Sequence, residues 1–118
     1  MSLYQKCLDY GLSLPSTCQE CPFDDSSVAL RHYQNKKIFA LFIHRSEGIL
    51  LNLKCEPMQA DFWRNAFEWV IPGFHMNKTH WNSILLNSRP DWEILQGMVY
   101  DSYTLTKPKQ ARYKAYDK

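Results

Sequence analysis

The densest concentration of chemically capable side chains is the run Pro72-Gly73-Phe74-His75-Met76-Asn77-Lys78-Thr79-His80-Trp81-Asn82. His75, Asn77, Lys78, His80 and Trp81 offer imidazoles, an amide, an ammonium and an indole N–H, a donor set suited to an anion. With Lys54 and Asp101 they form one candidate site, for a small anionic ligand or a protein partner. The same residues also fit a capped turn, in which Asn77 caps, Trp81 packs on a sheet and the imidazoles satisfy nearby carbonyls.

Cys18-Gln19-Glu20-Cys21 has the spacing of half a zinc knuckle or of a redox pair. No second Cys-x-x-Cys or His-x-x-x-His completes a ligand set, so neither a metal nor another cofactor is expected. Cys7 falls on an apolar helical stripe and reads as a small buried hydrophobe. Asp24 and Asp25 are adjacent in a loop and read as turn or cap residues rather than an acid–base pair. There is no Gly-x-Ser-x-Gly, no Gly-x-x-x-x-Gly-Lys and no His-Glu-x-x-His, so a non-enzymatic protein is expected.

These residues sit in a chain of 118 with 45% hydrophobic and 22% charged side chains, the size and apolar share of one domain rather than a disordered segment. The longest apolar stretch, Ile38 to Ile43, is far too short for a membrane span, and no secretory leader pattern opens the chain. A soluble, cytoplasmic protein is the expectation, with a monomer favoured. The formal charge of +2 conceals an asymmetry. Residues 107–118 carry five bases against one acid, leaving nine bases and eleven acids in residues 1–106. A domain over 1–106 followed by a basic tail over 107–118 is expected, and any polyanion must be met by a local patch.

Hydrophobic spacing predicts the elements that position these groups. Leu3, Cys7, Tyr10 and Leu14 make an amphipathic helix from Ser2 to Tyr10, with Gly11 placed to end or weaken it. A loop from Ser13 to Ser27 follows. Val28 to Tyr33, Ile38 to His44 and Ile49 to Leu53 read as three strands of an antiparallel meander, with Gly48 offering positive φ in the second turn. Glu56-Pro57 opens a helix ending near Trp69, Ile71-Pro72-Gly73 breaks the pattern, and Trp81 to Leu86 reads as a fourth strand. Ser88 and Asp91 resemble a capping box before a third helix bearing Ile94, Leu95, Met98, Val99 and Ser102. The sum is an α+β layout with helices on one face of an antiparallel sheet of about four strands. Its uncovered face is a third place for a partner.

Asn52-Leu53-Lys54-Cys55-Glu56-Pro57, the Pro72 to Asn82 run and Asp101-Ser102-Tyr103 resemble, in order and spacing, the signature stretches of the MmcQ/YjbR family. Pro22-Phe23 and Asn35 to Ala40 extend the resemblance over about residues 3–106. The resemblance implies a frataxin-like (CyaY-like) sandwich with the terminal helices packed on one side. It also implies DNA binding through two β-hairpins acting as wings. Here these would be Gln34 to Lys37 and His44 to Gly48, with Lys36, Lys37 and Arg45 on phosphates and Arg31, Lys54 and Lys78 adding positive field. With so few cations, binding to DNA is expected to be weak and salt-sensitive. A frataxin-type iron role is not implied, because Asp9 is the sole acid of the first helix.

Overall fold

The computed structural model describes residues 1–20 and 26–109. The elements run α1 (Leu3–Ser13), β1 (Thr17–Glu20), β2 (Ser27–His32), β3 (Ile38–Arg45), β4 (Gly48–Lys54), α2 (Pro57–Ala66), β5 (Val70–Pro72), β6 (Trp81–Leu85) and α3 (Trp92–Thr106). A short 3-10 turn, Leu86–Ser88, joins β6 to the approach of α3. The strands form one sheet in the order β1-β2-β3-β4-β6-β5, every neighbouring pair antiparallel.

The core lies between this sheet and the helices. Leu30, Phe42, Leu51, Leu53 and Ile84 from the strands meet Cys7 of α1 and Leu95, Met98, Val99 and Tyr103 of α3 in one buried cluster. Trp63 and Phe67, on and just beyond α2, pack against the same cluster, and the α2 carbonyl of Ala60 accepts a hydrogen bond from the Asn82 side chain. All three helices therefore cover one face. Each terminal helix is capped by its own sequence: the Ser2 hydroxyl accepts from the Gln5 N–H, and the Asp91 carboxylate from the Ile94 N–H. Gly48 takes φ 132°, as the turn between β3 and β4 requires.

Among the described residues the sheet has six strands, not four. Thr17–Glu20 lies within the expected loop, and Val70–Pro72 lies where the sequence signals a break. Both are edge strands. β1 needs only one partner, so its polar residues and missing alternation are tolerated; β5 is three residues long and ends in Pro72, which is admissible at an edge. Two helix ends also differ. Gly11 does not end α1; it is buried within it, because its missing side chain lets the helix approach Leu30. Asp91, not Ser88, is the cap of α3, and α2 stops at Ala66.

No helix among the described residues is long and apolar enough to cross a membrane. Cys21, Asp24 and Asp25, with Pro22-Phe23, lie outside the described residues, as does the basic tail from residue 110 onward.

Candidate nucleic-acid interface

Register decides which candidate residues share a location. Arg31 faces Ile38 across β2 and β3, Ala40 faces Leu53 across β3 and β4, and Lys54 faces Trp81 across β4 and β6. The end of β2, the start of β3, the end of β4 and the start of β6 therefore lie at one end of the sheet. Lys36 and Lys37, Lys54, and the 73–80 connection carrying Asn77, Lys78 and His80 are gathered there. Arg45 is not. It sits at the other end of β3, and eight residues of strand set the two hairpin turns roughly 25 Å apart.

At the gathered end, the β2–β3 hairpin is bolted to the C-terminus of α3. The Asn35 side-chain amide donates to the Thr106 carbonyl at 2.9 Å, and its oxygen accepts from the Lys37 N–H at 3.0 Å. Behind it, buried His32 places Nε2 2.9 Å from the Tyr103 carbonyl oxygen and 2.8 Å from Thr106 Oγ1. These contacts use up carbonyls that the last turn of a helix leaves unpaired, and they bring Lys107 beside the hairpin. Burial lowers the pKa of His32, and the charges of Lys107 and Lys37 lower it further, although the hydrogen bond to Tyr103 opposes them. Lys36, Lys37 and Lys107 are exposed, and none of them makes an ion pair among the described residues. Lys36 holds φ 64°, with its ammonium 4.5 Å from the centroid of the Tyr33 ring. The Lys107 ammonium stands 5.4 Å from the Tyr103 ring centroid.

The two arginines named with the hairpins are engaged within the fold. Arg31 Nε donates to Glu20 Oε1 at 2.7 Å and its terminal nitrogen to the Lys36 carbonyl at 2.6 Å, so β1 brings the acid that neutralises it. Arg45 turns over the sheet face away from the helices, its guanidinium 5.3 Å from the Phe74 ring centroid and Nε 4.0 Å from a Glu47 oxygen. The two hairpins point from opposite ends, and of their tip cations Lys36 and Lys37 make no ion pair among the described residues.

The 73–80 connection is fastened by its own polar groups. The Asn52 amide donates to the Phe74 carbonyl, the Phe74 N–H donates to Ser83 Oγ, and that hydroxyl bonds the Asn52 side-chain oxygen. Lys78 Nζ donates to the Gly73 carbonyl at 2.9 Å, and Asn77 caps the turn by accepting from the Thr79 N–H. Arg64 of α2 donates to Asn82 Oδ1 and to the carbonyls of Lys78 and Trp81. His75, at φ 61°, packs its ring 4.0 Å from that of Phe74; His75 and His80 are exposed, and Trp81 is half-buried. Of the anion donors, the Lys78 ammonium is turned onto the Gly73 carbonyl, while Asn77 is engaged through its side-chain oxygen. Asp101, on α3, lines one pocket with Lys54, Cys55 and Asn82 and a second cleft with Cys55, Glu56 and Gln59.

The three signature stretches meet in this framework. Ser102 Oγ accepts from the Lys54 N–H at 2.8 Å and donates to the Phe39 carbonyl, while the Cys55 N–H donates to the His80 carbonyl. Burial pushes the Cys7 thiol up to about 12; burial and then the Asp101 charge push Cys55 up to about 11. Cys18 is a free thiol. No cluster of three His, Cys, Asp or Glu able to hold a metal occurs among the described residues. Sequence reasoning missed Lys107, which it assigned to the tail, and Asn35 as the residue that docks the hairpin. A Lys-Pro pair ending a helix, opposite an Asn-Lys-Lys turn, was the available signal.

Among the described residues, an antiparallel sheet with the three helices on one face defines an α+β domain. The YjbR family model matches residues 12–105, and the chain belongs to that family. It is 39% identical over 109 residues to the uncharacterized protein YyaQ of Bacillus subtilis, spanning 83% of this chain and 88% of that protein. The uncharacterized protein YbdF of Escherichia coli O157:H7 is 30% identical over 69 residues, 58% of this chain and 57% of YbdF. Among solved structures, Deinococcus radiodurans protein DR2400, described as a DUF419 domain, superposes with a TM-score of 0.81 at 26% identity, covering 93% of this chain and 82% of that one. A Pseudomonas syringae protein gives 0.77 at 25% identity, covering 87% and 97%. The descriptions of these structures name a DUF419 domain for DR2400 and do not name a frataxin.

Proposed function

We propose that this YjbR-family chain is a non-enzymatic module that binds DNA through one end of its sheet, centred on Lys36, Lys37 and Lys107. One observation supports the reading above the others: the Asn35–Thr106 hydrogen bond fixes the hairpin lysines next to Lys107, with no carboxylate paired to any of the three among the described residues. Ammonium groups held this way meet phosphates without first breaking internal ion pairs. Lys54 lies along the same end of the sheet, and Lys109 follows Lys107 in sequence. The terminal helices on one sheet face also support describing the sandwich as frataxin-like, as a matter of layout and not of iron chemistry.

The test is an anisotropy titration of a labelled duplex at low salt. Lys36→Gln with Lys37→Gln weakens binding about tenfold or more, whereas Arg45→Gln, at the far hairpin, leaves it within about twofold. No binding by the wild-type chain, or equal losses from the two hairpins, overturns the reading.

A further inference from the structure

We infer that the same cationic end accepts an unpaired DNA strand in preference to a duplex, with Tyr33 as the platform on which a base stacks; this rests on the proposed DNA-binding reading. Tyr33 is 63% exposed, more than any other aromatic residue among the exposed large hydrophobics. It occupies the hairpin that carries the lysines and is anchored through its backbone, its N–H donating to the Ser16 carbonyl at 2.8 Å. The ring is outside the buried core, and Lys36 sits 4.5 Å from its centroid. An exposed ring with the Lys36 ammonium beside it presents a base with a π-surface and its phosphates with countercharge, the combination that takes single strands without sequence preference.

A duplex cannot use the ring in this way, because its bases are already stacked inside the helix and present edges to the grooves. It would meet only the lysines, which are few. An unpaired strand adds stacking to the same phosphate contacts. Tyr100, 48% exposed on α3, has its ring centroid 6.2 Å from that of buried Tyr103, whose hydroxyl donates to the Pro15 carbonyl next to Ser16.

Labelled oligothymidylate of about ten nucleotides and a duplex are titrated in parallel at one ionic strength. The single strand binds more tightly; Tyr33→Leu weakens it about tenfold and leaves duplex binding unchanged, while Tyr33→Phe retains the wild-type affinity for both. Single-strand binding unaffected by Tyr33→Leu, or no tighter than duplex binding, overturns the inference; if Lys36→Gln with Lys37→Gln still weakens the duplex, the DNA-binding reading survives it. Failure of both probes to bind overturns both.

Discussion

Asn35 and Thr106, 71 positions apart in sequence, are joined by a 2.9 Å hydrogen bond from side-chain amide to main-chain carbonyl. This contact turns a hairpin tip and a helix end into one surface. Asn35→Ala removes it together with the bond accepted from the Lys37 N–H, without removing any charge. The variant loses about 1 kcal/mol of stability in urea unfolding. It also weakens DNA binding several-fold, because Lys36 and Lys37 are no longer held beside Lys107. Unchanged affinity with reduced stability would show that hairpin docking is irrelevant to binding.

Two helical glycines give opposite outcomes on substitution by alanine. A Cβ on Gly11 would lie 2.3 Å from Leu30 Cδ1, inside the core where Leu30 has no room to yield, so Gly11→Ala destabilises the fold by about 1–3 kcal/mol. Gly97 has no neighbour within 4 Å of such an atom, and Gly97→Ala stabilises by about 1 kcal/mol through helix propensity alone. Thermal unfolding of the two variants checks the pair; the same sign for both contradicts the packing of α1 on β2.

How much of this was legible beforehand follows from where each residue sits. The periodicity of α1 and α3 and the apolar runs of β2, β3, β4 and β6 state their positions because each buries a face. β1 and β5 bury little and pair on one side only, so Thr17–Glu20 and Val70–Pro72 carry no comparable pattern. Of the candidate cations, Lys36 and Lys37 were readable as a turn between strands. The engagement of Arg31 depended on β1 bringing Glu20 opposite, and that of Arg45 on Phe74, 29 positions further along the chain. Lys107 could be joined to the hairpin only by knowing that α3 runs back to that end of the sheet.

His32 makes stability depend on pH. Its folded pKa lies below the ordinary 6.5, chiefly through burial, so the unfolded chain binds the proton more readily. Stability is therefore full above about 6.5 and falls as the solution is acidified through and below that value. Urea midpoints measured between about pH 7.5 and 5 decline for the wild type, and His32→Gln, though less stable at neutral pH, shows a shallower decline. An unchanged slope in the variant contradicts the assignment.

Cys55 is a slow thiol in the folded chain. Its pKa, pushed from 9.0 up to about 11, lowers its thiolate fraction about a hundredfold at neutral pH. Iodoacetamide labelling followed by peptide mass mapping finds Cys55 modified far more slowly in the native protein than in urea. Asp101→Asn speeds it modestly, because the carboxylate contributes to the shift after burial. Native labelling as fast as in urea contradicts the described burial.

The dependence of duplex DNA affinity on salt tests the central claim most directly. If Lys36, Lys37 and Lys107 contact phosphates, log K falls against log salt with a slope of about −2 to −3, and Lys107→Gln makes the slope shallower by about 1. A slope near zero, or one that Lys107→Gln leaves unchanged while Arg45→Gln reduces it, contradicts the account.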